Sequence, residues 1–126
     1  MIADDLAGKR IAVTGSTGFL GTALVERLLR SVPDCELVLL IRKGRMRSVE
    51  QRAQREIFKN NCFDRVRTEL GGKAAFDEAV ARRVTVIEGD VGTDGLGLTD
   101  GGRALFASCD IVIHSAATVS LSLIHI

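Results

Sequence analysis

Thr14 to Gly21 reads T-G-S-T-G-F-L-G and sets Gly15, Gly18 and Gly21 three residues apart. Between a strand and a helix, such a triplet can hold a pyrophosphate. Gly15 permits a sharp turn off the strand, Gly18 lets backbone N–H groups approach the anion with no side chain in the way, and Gly21 lets the helix pack closely on the sheet. Ser16, Thr17, Phe19 and Leu20 fill the positions between them. The following helix would then face the phosphates with its free N–H groups and the positive end of its dipole. A nucleoside-triphosphate loop of the Walker type is excluded, because no Gly-Lys-Ser/Thr follows. A β-turn-α junction that holds no ligand shares the same spacing.

A second group stands some twenty residues on, where a dinucleotide fold presents a side chain to the adenosine ribose. Here the residues are Arg42, Lys43 and Arg45. A carboxylate at this place would accept from a 2′-hydroxyl and repel a 2′-phosphate, whereas a guanidinium makes a charge-assisted, bidentate pair with the phosphate. The cations therefore favour NADPH over NADH, against the plainer reading of a solvated charge run. Gly89-Asp90-Val91 and His114-Ser115-Ala116-Ala117 lie at two further strand ends. Asp90 can accept from an adenine amino group, with Val91 beside it, and the small Ala116 and Ala117 let backbone sit against a cofactor. His114, ending an apolar strand, is read as a hydrogen-bonded structural residue rather than an acid or base.

The elements that must position these residues are legible as an alternation of short apolar runs and helical periods. Arg10 to Thr14 and Glu36 to Ile41 are continuous apolar runs of the kind buried in parallel sheets. Between them, Leu20, Ala23, Leu24 and Leu28 form the apolar side of a helix over 19–29, with Glu26, Arg27 and Arg30 set apart and Pro33 ending it. Ser48 and Gln51 resemble a capping box for a helix over 49–59, whose Ala53, Ile57 and Phe58 could face the sheet. Phe63, Val66 and Leu70 keep helical spacing until Gly71-Gly72, and Phe76 to Ala81 is again helical. Arg83 to Glu88 predicts a third strand, Thr99 an N-cap for a short helix through Phe106, and Asp110 to His114 a fourth strand. Strands separated by helices predict an α/β fold, the N-terminal part of a Rossmann-type doubly wound parallel sheet with about four strands.

Composition agrees with one globular unit. Hydrophobic residues make up 46% of the 126 and charged residues 26%, with a single Pro. A formal net charge of +1 gives no reason to expect nucleic acid. Cys35, Cys62 and Cys109 share no metal-ligand or paired spacing, so no metal site and no disulfide framework is expected, and a reducing cytoplasm fits. No window approaches the ~18 apolar residues of a membrane span.

Taken together these residues resemble the extended short-chain dehydrogenase/reductase superfamily, and more narrowly the fatty acyl-CoA reductases with their male-sterility-type NAD(P)-binding domain. The resemblance runs from about Arg10 to Ser120. It rests on T-G-S-T-G-F-L-G, L-L-x-x-x-P-D at Leu28 to Asp34, L-I-R-K, an arginine-containing helix, G-D-V, G-L-G-L-T at Gly95 to Thr99, and I-H-S-A-A-T-V. It implies reduction of a long-chain acyl thioester, with NADPH, to an aldehyde or alcohol. It also implies that Gly15, Gly18 and Gly21 form the pyrophosphate turn, that Arg42 and Lys43 are 2′-phosphate ligands, that Asp90 is the adenine contact, and that Ala116 and Ala117 form the wall near the nicotinamide ribose. Reductases of carrier-protein thioesters, sugar-nucleotide epimerases and dehydratases, and a non-catalytic NADPH sensor are alternatives.

The superfamily protonates the reduced oxygen with a Ser or Thr and a Tyr-x-x-x-Lys, and this chain contains no tyrosine. Those groups are expected downstream, so the chain alone is expected to bind cofactor and not to turn over. Residues 1–120 are therefore taken as a truncated Rossmann domain. Leu121 to Ile126, L-S-L-I-H-I, is the translation of CTG TCT CTT ATA CAC ATC, the mosaic end of a transposase-based sequencing adapter. Residues 121–126 are accordingly expected to be a non-native tail, and His125 is left out of the catalytic candidates.

Overall fold

The structure is a computed structural model that describes residues 5–32, 34–42, 48–90 and 97–114. Strand β1 (Arg10–Thr14) leads to helix α1 (Phe19–Ser31), β2 (Glu36–Ile41), and a helix α2 (Val49–Arg52) that widens into a π-helical turn over Ala53–Phe58. A 3-10 turn (Asn61–Phe63), α3 (Asp64–Leu70) and α4 (Lys73–Arg83) then lead to β3 (Val84–Glu88), and α5 (Asp100–Ala107) leads to β4 (Ile111–His114). All strand pairs are parallel and the sheet order is β3-β2-β1-β4. The order reverses after β3, which places β4 beside β1 and creates the switch point at which open α/β sheets bind ligands.

Alternation along the central strands divides the core in two. Ile11, Val13, Leu37, Leu39 and Ile41 face one layer, where Val25, Leu28 and Leu29 of α1 and the helices between β2 and β3 cover them. Ala12, Val38, Leu40 and Ile87 face the other, covered by Leu98, Leu105, Phe106 and Cys109. Val25, Leu28 and Leu29 are each essentially removed from water, worth roughly 1.5–3 kcal/mol apiece relative to exposure, and this anchors α1 and with it the turn at its start. The β2–β3 connection is held by Phe58, Phe63 and Phe76, whose ring centroids lie 5.5, 6.3 and 5.7 Å apart, with the Arg67 guanidinium 5.2 Å over Phe76.

Several local expectations need correction. Leu20 and Ala23 lie outside the buried stripe of α1, which runs instead through Gly21, Thr22, Val25, Glu26, Leu28 and Leu29. Glu26 is buried because Arg30, one turn on, pairs with it at 2.6 Å and satisfies its charge. Leu70 is exposed at the end of α3. Arg83 closes α4 rather than opening β3, for its guanidinium is taken up by the far end of α1. It donates to the carbonyls of Leu29, Val32 and Cys35 at 3.0, 2.8 and 2.9 Å and lies 3.1 Å from the Cys35 sulfur. Helix C-terminal carbonyls have no partner within the helix, so this one side chain ties the end of α4 to the end of α1 and to the segment that leads into β2. Among the described residues no helix is long and apolar enough to cross a membrane.

Candidate cofactor-binding site

Because every strand runs the same way, the ends of all four fall on one edge of the sheet. The register sets Thr14 level with Leu40 and His114, and Ile41 level with Glu88. The Gly15–Gly21 turn, Arg42, Gly89-Asp90 and His114 therefore share that edge. Lys43, Arg45, Val91, Ala116 and Ala117 lie outside the described residues, as do residues 121–126.

The turn has the backbone geometry that an anion cradle requires. Gly15 adopts φ +72°, a left-handed conformation that side chains disfavour. Its carbonyl accepts from Gly18 N–H at 3.1 Å, and the Gly18 carbonyl in turn accepts from Thr22 N–H at 2.9 Å to start α1. A Cβ at Gly21 would stand 2.0 Å from the Gly15 oxygen and 2.9 Å from the Ser16 Cα. The close approach that Gly21 permits is thus to the turn itself rather than to the flat of the sheet. Thr22 Oγ1 donates to the Ser16 carbonyl at 2.7 Å and closes the loop.

Two features fit this cradle to a bound anion. First, α1 has no side-chain cap and no acid in its first turn, whereas Ser48 caps α2 with a full capping box and Thr99 caps α5. The leading N–H groups of α1, having no partner within the helix, remain directed outward. Second, Ser16 is buried, and its hydroxyl has no hydrogen-bond partner among the described residues. A buried polar atom of that kind costs about 1–3 kcal/mol when left unpaired, and a phosphate oxygen would satisfy it. Thr17 lies half-buried between, while Phe19 and Leu20 are exposed to 93% and 71% at the mouth of the turn. Against these features, a junction that merely links a strand to a helix is the weaker reading.

At the end of β2 the Arg42 side chain is exposed and makes no hydrogen bond or ion pair among the described residues. Its carbonyl, however, accepts from Arg52 Nη1. Arg52 is largely buried, with a side-chain exposure of 18%, and holds Glu56 at 2.5 and 3.2 Å through two guanidinium nitrogens. The hydrogen bond to Glu56 is the main cause that raises the Arg52 pKa above the ordinary guanidinium value, desolvation opposing it. The sequence reading missed this residue. The signal was present in the arginine-containing helix and in the Ser48–Gln51 capping box, which starts that helix one turn before Arg52. Asp90 lies half-buried past the end of β3, after Gly89, whose N–H donates to the Ile41 carbonyl at 3.1 Å. His114 ends β4 with Nδ1 at 2.7 Å from Thr14 Oγ1, the hydrogen-bonded place expected for it.

A parallel sheet of order 3-2-1-4, with a glycine turn at its switch point and an exposed arginine past its second strand, defines an NAD(P)-binding domain of Rossmann type. A family model described as male sterility protein matches residues 13–123. The chain belongs to that family. It is 40% identical over 120 residues to the Drosophila melanogaster protein CG8306, assigned as a fatty acyl-CoA reductase, covering 94% of this chain and 22% of that protein. It is 35% identical over 122 residues to the alcohol-forming fatty acyl-CoA reductase of Simmondsia chinensis, covering 94% and 24%. Among solved structures it superposes on the reductase domain of a non-ribosomal peptide synthetase from Mycobacterium tuberculosis with a TM-score of 0.65 and 29% identity, covering 94% of this chain and 27% of that one. The chain thus spans about a quarter of the length of these proteins.

Proposed function

We propose that the chain is the NADPH-binding part of a reductase that converts a long-chain fatty acyl-CoA to a fatty aldehyde or fatty alcohol. The observation that carries the choice of NADPH is Arg42, an exposed guanidinium past β2 whose backbone is tied down by Arg52. A guanidinium there pairs with a 2′-phosphate and offers nothing comparable to a bare 2′-hydroxyl. Lys43 adds to the same charge. Gly15 to Gly21 hold the pyrophosphate, with Ser16 Oγ and the first N–H groups of α1 as donors. Asp90, with Val91, receives the adenine, and Ala116 and Ala117 border the nicotinamide ribose. Bound NADPH supplies the hydride that reduces a thioester carbonyl. The residues of this chain bind and orient it, while the groups that protonate the nascent oxygen are assigned to a Ser or Thr and a Tyr-x-x-x-Lys beyond these residues. Three free cysteines accord with a cytoplasmic setting.

The acyl-CoA substrate is supported by the likeness to proteins named as fatty acyl-CoA reductases. A second reading, a reductase of thioesters on carrier proteins, is favoured by the likeness to a peptide-synthetase reductase domain. The test is to express the product of the complete reading frame and follow NADPH consumption with palmitoyl-CoA and with a palmitoylated carrier protein. NADPH oxidation matched by aldehyde or alcohol from palmitoyl-CoA, and lost in Arg42→Asp, supports the first reading. Turnover with the carrier protein alone supports the second, and NADPH binding without turnover on either points to a sensor.

A further inference from the structure

We infer that His114 is a positioning residue for the pyrophosphate site, acting across the switch point on the residue from which the glycine turn springs. The inference rests on the cofactor reading above. Thr14 and His114 are register partners at the ends of adjacent parallel strands, so their side chains leave the sheet on the same face. The imidazole Nδ1 and the Thr14 hydroxyl lie 2.7 Å apart. Thr14 is 2% exposed and is followed at once by Gly15 at φ +72°.

From Gly15 onward the turn is held from within, by the Gly15–Gly18, Gly18–Thr22 and Thr22–Ser16 hydrogen bonds. Those bonds fix its shape. The parallel β1–β4 ladder sets the root of the turn level with His114. The His114–Thr14 bond adds a side-chain tie across the same crevice, on the residue just before Gly15. The imidazole is exposed, so it adds little apolar burial, and its contribution lies in the directional bond. Loss of that tie would loosen the start of the turn and leave its binding-competent form populated only part of the time, which weakens apparent affinity by that fraction.

The test measures NADPH, ADP and 2′-AMP binding to the product of the complete reading frame, wild type and variants, with thermal midpoints alongside. ADP contains a pyrophosphate and no 2′-phosphate, whereas 2′-AMP, with the same adenosine, contains the phosphate assigned to Arg42 and no pyrophosphate. One hydrogen bond of ordinary strength corresponds to about fivefold. His114→Phe is therefore expected to weaken NADPH and ADP about fivefold and to leave 2′-AMP within about twofold. His114→Asn, whose amide can reach the same hydroxyl, is expected to restore both. In a Thr14→Val background His114→Phe is expected to add no further loss. Equal weakening of all three ligands together with a lowered midpoint assigns His114 to stability alone and overturns the inference. Unchanged NADPH affinity in His114→Phe also overturns it, with the cofactor reading intact. A wild-type protein that binds neither NADPH nor ADP overturns the cofactor reading itself, and the inference with it.

Discussion

Two glycines three residues apart should fail in opposite ways when each is replaced by alanine. In Gly21→Ala the new methyl would lie 2.0 Å from the Gly15 oxygen, 2.7 Å from the Gly15 carbonyl carbon and 2.9 Å from the Ser16 Cα. Ordinary carbon–oxygen contact begins near 3.2 Å, so separation by about 1.2 Å is required. All three atoms are backbone, so no rotamer change relieves the clash. Moving α1 instead would pull Val25, Leu28 and Leu29 from the core. Overpacking of this severity costs about 3–5 kcal/mol, which at roughly 4 °C per kcal/mol lowers the thermal midpoint by about 12–20 °C. At Gly18 the backbone sits at φ −78°, ψ 167°, which any residue adopts, and the nearest atom to an added Cβ is 3.4 Å away. The reduced freedom of the unfolded chain and the poorer N-cap then offset each other, and stability stays within about 0.5 kcal/mol of wild type. Apart from the Gly15 oxygen nothing lies within 4 Å of that methyl, so it would take up space at the turn proposed for the pyrophosphate, and NADPH affinity should fall at least about tenfold. Differential scanning fluorimetry and a fluorescence titration with NADPH separate the two. A Gly18→Ala protein that binds NADPH like wild type, or a Gly21→Ala protein that melts like wild type, would refute this division of roles.

Three other substitutions and one pH effect follow from the same geometry. Replacing Arg83 by Met strands the Leu29, Val32 and Cys35 carbonyls and should cost about 3 kcal/mol in urea unfolding, with no loss specific to cofactor; an unchanged midpoint would show the latch to be idle. Arg52→Leu releases the Arg42 carbonyl and leaves Glu56 without its guanidinium, so NADPH affinity should drop about fivefold while NADH affinity holds. Equal effects on both cofactors would separate Arg52 from the phosphate site. Arg42→Ser should act in the same direction and more strongly, since it removes the proposed ligand itself, and a retained preference for NADPH in a binding titration would count against that role. Partial desolvation, with Glu26 adding to it, pushes the Cys62 thiol above the ordinary value of 9.0 even though the residue is exposed, and partial burial also raises Cys109. Since both thiols ionise later in the folded state than in the unfolded one, their contribution to stability is complete below about pH 9 and is lost as pH rises through the folded values. Iodoacetamide at pH 8 should therefore alkylate the folded protein more slowly than glutathione, and equal rates would contradict the shift.

The strands and the glycine turn were legible because each is written in local pattern: buried parallel strands as continuous apolar runs, the turn as glycine spacing, the helix starts as Ser48 and Thr99. Tertiary pairing was not written there. Glu26 is charged and was set apart from the apolar side of its helix, yet it is buried because Arg30 accompanies it. Arg83 resembles the first residue of a strand, and only the arrival of the α1 C-terminus beside it makes it a latch. The π-helical turn at Ala53–Phe58 left no sequence signature, since a single-residue slip in hydrogen bonding keeps Ala53, Ile57 and Phe58 on the buried side. In the site, residue types pointed to Arg42 and the glycines. The support beneath Arg42, and the tie between Thr14 and His114, depend on distances that spacing does not encode.

The ratio of dissociation constants for NADH and NADPH, measured by calorimetric titration of the product of the complete reading frame, probes the proposed cofactor site at its root. An exposed Arg42 pairing with the 2′-phosphate should make NADPH at least about tenfold tighter, since a charge-assisted pair contributes about 1.5–3 kcal/mol. Equal affinity for the two, or tighter binding of NADH, would contradict the assignment of the β2 cations to the 2′-phosphate and with it the NADPH-dependent reductase.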